Sequence, residues 1–262
     1  MSTLMQTRQL DIRCGGKTLL GGLDLQIQPG QCWVVLGRNG AGKTSLLKTL
    51  AGLLPASGGE IMLDDRPIGR LPPKQRAQRL GLVFQHSDPG FHTSTLEMAL
   101  SGGYARRGHW AWENAGEVLQ AQQALAEVRL ADLQQQSLES LSGGELRRAE
   151  IARLLVQAPA LAMLDEPLNH LDIGQQIAML QVLRRHFVAS DRALLLVLHD
   201  INLARRIASH ALLMYGDGHW RAGPVQQVAD IHTLSDLLGY PLQQFDSDSG
   251  PMASIDFSHA GF

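Results

Sequence analysis

The chain has 262 residues, 44% of them hydrophobic and 18% charged, with a formal net charge of −2. That length buries a substantial core as one large α/β domain or two small ones. The near balance of charge argues against a globally basic nucleic-acid surface. Cys14 and Cys32 are the only cysteines, too few for a disulfide framework or a metal site. The first thirty residues hold no basic-led apolar stretch closing on small residues, so no signal peptide is expected. The longest apolar runs, such as 193–198, fall far short of the roughly 20 residues that span a bilayer. Any membrane role is therefore expected to come through a partner, and the chain reads as cytosolic.

In chain order, Leu10, Ile12, Leu23, Leu25 and Ile27 alternate with polar residues, which predicts short half-buried strands broken at Gly15-Gly16, Gly21-Gly22 and Pro29-Gly30. Residues 32–36 are nearly all apolar, as a central parallel strand covered on both faces should be. Leu46, Leu47, Leu50, Leu53 and Leu54 form a helical stripe that Pro55 is expected to end. Residues 61–65 read as a strand and turn, and 82–84 as another strand.

Composition shifts between 86 and 140. Polar helix formers dominate 113–136, with Leu119, Leu125, Val128 and Leu130 as the apolar face, which predicts a small helical subdomain inserted into the α/β core. Phe91 and Leu96 read as exposed apolar residues at its opening, a candidate groove for a membrane partner. The core resumes with a helix over 144–157, a strand over 161–164, a helix over 173–187, a strand over 193–198 and a hairpin around Gly216-Asp217-Gly218. The Ser-, Asp- and Gly-rich stretch 247–262 is expected to be an irregular or loosely docked end. The division that results is 1–85 with 141–240 as core, 86–140 as helical subdomain and 241–262 as tail.

Three segments carry chemistry. Gly37-Arg38-Asn39-Gly40-Ala41-Gly42-Lys43-Thr44, followed by Ser45, matches a phosphate cradle between an apolar strand and a helix. Its glycines let backbone N–H groups converge on phosphate, and the helix start adds about half a positive charge. Lys43 supplies a full charge, and the Thr44 hydroxyl can ligate Mg²⁺. Asp165 ends an apolar strand, where a hard oxygen ligand suits Mg²⁺. The adjacent Glu166 is a candidate base for an attacking water; taken alone, Asp-Glu after a strand is more often just an exposed turn, and it is the register with the other two segments that favours the functional reading. Between them, Leu141-Ser142-Gly143-Gly144-Glu145 opens a helix with bare N–H groups, a second anion site or a plain N-cap. Arg147 and Arg148 sit in that helix's first turn, unfavourable for cations; they read either as support for a bound triphosphate or as a solvated face.

The order and spacing of these segments, with Ser142 a little over twenty residues before Asp165, resemble the ATP-binding cassette (ABC) ATPases over residues 1 to about 240. The resemblance implies a P-loop NTPase core with an antiparallel β subdomain and an inserted α-helical subdomain. It also implies ATP and Mg²⁺ as cofactors and two copies that sandwich ATP, each copy's Ser142–Glu145 closing over the other's cradle. His199, ending a strand, takes the family's γ-phosphate-contacting role. Gln85 resembles the glutamine that reaches metal and water. Residues 168–172, closing on Asp172, resemble the loop that crosses the dimer interface. Cys14 stands where most members have an aromatic that stacks on adenine, and Arg13 is the candidate substitute.

More narrowly, the Leu-Ser-Gly-Gly-Glu variant followed by Leu-Arg-Arg and the Gln85-His86 pair resemble ATPase subunits of bacterial siderophore, haem and cobalamin importers, with haem the leading cargo. That implies a permease, indirect contact with a periplasmic binding protein, and a place at the cytoplasmic face of the inner membrane. An exporter ATPase and a soluble non-transport ABC ATPase remain alternatives.

Overall fold

The computed structural model describes residues 3–85, 94–107, 114–247 and 250–256. Strands β1 (Met5–Cys14) and β2 (Lys17–Ile27) form an antiparallel hairpin, and β3 (Cys32–Gly37) leads into α1 (Lys43–Leu50). Strands β4 (Gly58–Leu63) and β5 (Arg66–Pro67) extend the β1 edge, followed by α2 (Pro73–Arg79) and β6 (Leu80–Val83). Helices α3 (Thr95–Ser101), α4 (Ala115–Glu127) and α5 (Gly143–Gln157) come next. Then β7 (Leu161–Asp165), α6 (Ile173–Phe187), β8 (Ala193–Val197), α7 (Ile201–Ile207), β9 (His210–Met214) and β10 (Trp220–Pro224) complete the central sheet and its cover. The chain continues through α8 (Val225–Val228), α9 (Ile231–Leu238) and the hairpin β11 (Leu242–Ser247) and β12 (Gly250–Ile255).

The central sheet has the order β10-β9-β3-β8-β7-β6, parallel apart from β10. Its inner strands are apolar along their whole length because both faces are covered. Side-chain alternation divides each strand between two cores. Val34, Leu36, Leu164 and Leu196 face one side, packing with Leu125 of α4, Ile151 of α5 and Phe187 of α6. Val35, Met163, Leu195 and Val197 face the other, with Leu46, Leu47 and Leu50 of α1 and the apolar face of the N-terminal sheet. The helical insert thus shares one core with the sheet. Because β3, β6, β7 and β8 run parallel, their C-terminal ends lie along one edge.

Several expectations shift. Gly21-Gly22 does not break the strand: β2 runs through it, with register shifts against β1 and Gly22 at φ 62°. Helix α1 stops at Leu50 because Gly52 (φ 68°), not Pro55, turns the chain, and it leaves Leu53 and Leu54 56% and 43% exposed. Within the polar stretch 113–136, helix α4 ends at Glu127: Arg129 takes a left-handed turn (φ 60°) and the Leu130 N–H returns to the Leu125 carbonyl at 2.8 Å. Ala121, Ala124 and Leu125 make its buried face, and Leu119 is exposed. Leu96 is half-buried and packs on the core that insert and sheet share rather than standing exposed; Phe91 and His86 lie outside the described residues. The tail is not irregular where it is described, since β11 and β12 pair through Leu242↔Ile255 to Ser247↔Gly250.

Candidate functional site

Four strand ends deliver the predicted residues to one edge. The glycine loop leaves β3 and enters α1, whose N-cap Gly42 has φ 95° and whose N-terminus carries no side-chain cap and no acid in its first turn. A Cβ on Gly42 would lie 2.8 Å from Leu19 Cδ1, so the loop's path needs glycine there on both counts. The N–H groups at the start of α1 are left for an anion.

Lys43 is buried, and its Nζ donates to the Gly37 and Arg38 carbonyls at 2.8 and 3.1 Å. Burial lowers its pKa, opposed by the nearby Glu166 and Asp165 carboxylates. The loop's own carbonyls therefore hold an ammonium that a phosphate, as a charged acceptor, would hold more strongly.

Asp165 is 1% exposed at the end of β7 and accepts from Thr44 Oγ1 at 2.5 Å. Burial raises its pKa above the usual carboxylate value, with the Thr44 hydrogen bond acting the other way. Thr44 and Asp165 thus bring two hard oxygen donors together beside the cradle, a donor set that suits Mg²⁺. Glu166, in a left-handed conformation (φ 50°), lines the site's cavity itself, and its charge helps raise the Asp165 pKa. His199 Nε2 donates to Glu166 Oε1 at 2.5 Å and Asn169 Nδ2 donates to Oε2 at 2.6 Å, so both carboxylate oxygens are held. A carboxylate fixed in this way, open to a shared cavity, can orient a water and take its proton.

A cavity of about 640 Å³ joins these groups, lined by Cys14 and Leu19, by Asn39, Gly40 and Gly42 to Ser45, and by Gln85, Glu166 and His199. Its described lining includes no Phe, Tyr or Trp, its one ring being the His199 imidazole held by Glu166, and Arg13 is not part of it. Gly37, Ala41 and Asp165 are buried beneath it. Arg38 turns aside, its Nε donating to the Leu238 carbonyl at 2.7 Å.

The remaining predicted residues lie apart from this cavity. Ser142 and Glu145 form a capping box at the start of α5: the Ser142 hydroxyl accepts from the Glu145 N–H at 3.3 Å, and Glu145 Oε2 accepts from the Ser142 N–H at 2.8 Å. The Ser142 hydroxyl also donates to Glu145 Oε2 at 2.7 Å, and this bond foremost, with that from the Ser142 N–H, holds the Glu145 carboxyl below its ordinary pKa. Gly144 sits so close to the His170 carbonyl that a Cβ would lie 2.8 Å from it. Asp172 is exposed and caps α6, accepting from the Gln175 N–H at 2.7 Å. Within one chain, then, Ser142, Gly143, Gly144, Glu145 and Asp172 do not meet the cradle.

Arg147 does not lie on a solvated face, and its charge reaches the site, where it acts to lower the Asp165 pKa. Arg147 is buried, paired with Glu150 at 2.8 Å, and donates to the Phe84 and Gln85 carbonyls at 2.7 and 3.0 Å. Arg148 donates to the carbonyls of Val128 and Arg129. Arg147 thereby fixes the backbone from which Gln85 enters the cavity. Sequence reasoning also missed Asn169 as the second holder of Glu166; its place three residues on, within the same turn, was the available signal. Leu19, packed on Gly42, carried no such signal.

Residues 20–169 match the family model described as ABC transporter. The hemin import ATP-binding protein of Bradyrhizobium diazoefficiens is 35% identical, the match covering 96% of this chain and 94% of the relative. A Bacillus subtilis protein named for a siderophore transport system is 32% identical, over 91% of this chain and 87% of its own. Among solved structures, one described as a metal-chelate type ABC transporter in an inward-facing conformation superposes with a TM-score of 0.82 at 24% identity, covering 97% of both chains. An ATP-binding cassette in its ADP conformation superposes with a TM-score of 0.74 at 21% identity, over 90% of this chain and 98% of that one.

Proposed function

This chain belongs to the ABC transporter family, and on that premise we propose that it powers import of an iron chelate, with haem as the leading cargo, through a membrane permease. It is an ATPase coupled to transport. The observation that carries the reading is the convergence of Lys43, Thr44, Gln85, Glu166 and His199 on one cavity, with Asp165 bonded to Thr44 beneath it. The relatives named for hemin import support haem, and the siderophore relative supports a second reading in which the cargo is a ferric siderophore.

In this reading the glycine-loop N–H groups and Lys43 bind the triphosphate, Lys43 exchanging the Gly37 and Arg38 carbonyls for phosphate oxygens. Thr44 and Asp165, with Gln85, hold Mg²⁺, which when bound neutralises charge on the phosphates. Glu166 takes the proton of the attacking water, and His199 and Asn169 keep its carboxylate oriented. Leu19 and Cys14 line the cavity without offering a ring, and no Phe, Tyr or Trp is among its described lining residues, so the triphosphate carries most of the affinity.

Ser142 to Glu145 and Asp172 act across a homodimer, since in a single chain they stand away from the cavity. Tighter binding of ATP than of ADP by the closed pair supplies the work passed to the permease. No helix among the described residues is long and apolar enough to cross a membrane. The chain therefore sits peripherally on the permease at the cytoplasmic face of the inner membrane, with the periplasmic binding protein on the far side. Residues 1–85 and 141–240 handle nucleotide, and 86–140 transmits closure.

The test is reconstitution with the cognate permease and binding protein in proteoliposomes. ATP-dependent hemin uptake is the expected result. Uptake of ferric siderophore without hemin would transfer the cargo to the second reading. Uptake of neither, with hydrolysis intact, would overturn the importer assignment.

A further inference from the structure

The C-terminal hairpin takes no part in the site described above, yet it reaches the helix that follows His199. The main-chain groups of Ala253 in β12 are both taken by one side chain. Asn202 Nδ2 donates to the Ala253 carbonyl at 3.0 Å, and Asn202 Oδ1 accepts from the Ala253 N–H at 2.8 Å. A primary amide offers donor and acceptor much as a peptide unit does, so Asn202 stands in for the neighbouring strand that this edge lacks. One turn further along α7, Arg206 Nη2 lies 3.7 Å from Met252 Sδ. The other strand of the hairpin is tied to α9, where the Ser235 hydroxyl accepts from the Leu242 N–H at 3.0 Å and Leu242 packs on the core. The hairpin is therefore anchored on one side and grips α7 on the other.

Helix α7 needs such a grip. It has 7 residues, and Ala204 is its one buried residue. A helix of two turns is unstable by itself and takes its order from what it packs against. His199 stands directly before its N-cap, Asp200, which accepts from the Leu203 N–H at 2.9 Å. Ile201 and Leu203 are half-buried and pack on the core, but a cavity of about 190 Å³ among Asp200, Leu203, Asn169 and Glu166 leaves the start of the helix incompletely packed. The clamp at Asn202 adds a fixed point within that first turn.

We propose that Asn202 is a positioning residue: by gripping Ala253 it lets the C-terminal hairpin fix the first turn of α7, and so hold His199 in reach of Glu166. The inference rests on the role proposed for His199 in hydrolysis.

The experiment is steady-state Mg-ATP hydrolysis by the full chain, with hydrogen exchange on the same variants. Asn202→Ala should lower kcat about five- to tenfold, as expected for loss of two hydrogen bonds, with KM for ATP within about twofold. Amides of residues 200–204 should exchange faster, and those of α6 should not. Ala253→Pro removes the N–H from the other side of the clamp at an edge position where proline is tolerated. It should lower kcat similarly, and the double variant should be no worse than Asn202→Ala. Wild-type kcat in Asn202→Ala, a loss seen only in KM, or faster exchange throughout α6 would overturn the positioning role. Those results leave His199's own role standing, because that role is read separately from His199→Gln. Wild-type turnover in His199→Gln would overturn both.

Discussion

The chain builds two helix starts from glycine-bearing loops and finishes them in opposite ways. At α1 the N-cap is Gly42, no side chain caps the N–H groups, and the first turn holds no acid. At α5 the N-cap is Ser142, and Glu145 closes a capping box that places a carboxylate over the same kind of N–H cluster. The first end is kept open for an anion and backed by Lys43; the second already carries one of its own. A helix start is thus not an anion site by sequence alone: what occupies its N–H groups decides. In the proposed dimer the α5 end must accept phosphate in competition with Glu145.

Removing the open end's charge should have the largest effect. Lys43→Ala deletes a charge-assisted hydrogen-bond donor, worth about 1.5–3 kcal/mol, so ATP affinity should fall about ten- to a hundredfold by titration. An unchanged affinity would mean the N–H groups suffice alone.

Beside it, Asp165→Asn separates function from stability. The Asp165 pKa is raised by burial. Its folded value lies above its unfolded one, so the folded state gains protons first, and stability is lost as pH rises through that window. At neutral pH the ionised group therefore costs stability. The amide should raise the melting temperature of the nucleotide-free protein while Mg-ATP turnover collapses. A lower melting temperature would contradict the burial argument.

At the capped end the effects should be smaller. Glu145→Gln keeps the capping-box geometry and removes the competing charge. The Mg-ATP concentration for half-maximal dimer closure should fall about two- to fivefold, matching the 0.3–1 kcal/mol of a surface charge at a helix end. Because hydrogen bonding lowers the Glu145 pKa, its contribution to stability is present above its unfolded value and lost as pH falls through the folded one. The variant should therefore differ from wild type least in strong acid. Ser142→Ala should cost about 1 kcal/mol of stability, a shift of about 2–4 °C in melting temperature, as loss of an N-cap does.

The open end was legible in sequence because its determinants are local. An apolar strand, a glycine loop and a helical stripe in series fix where Lys43 and Thr44 fall, and the same strand-end logic placed Asp165, Glu166 and His199. What remained hidden depends on partners distant along the chain. Helix-dipole reasoning left Arg147 between a solvated face and a support for triphosphate, whereas Glu150 and the carbonyls of Phe84 and Gln85 draw it inside. The end of α1 at Gly52 rather than Pro55 turned on a single left-handed residue. The C-terminal hairpin, polar in sequence, takes its order from Asn202 and α9. Leu96 has apolar neighbours that no local pattern displays.

The central claim is that Glu166, held by His199 and Asn169, is the base of a site that only two copies complete. Size-exclusion chromatography of Glu166→Gln with Mg-ATP tests it most directly. The account predicts intact ATP binding, arrested turnover and a stable dimer that wild type forms only transiently. A variant that stays monomeric with bound Mg-ATP, or that hydrolyses it at the wild-type rate, would contradict the claim.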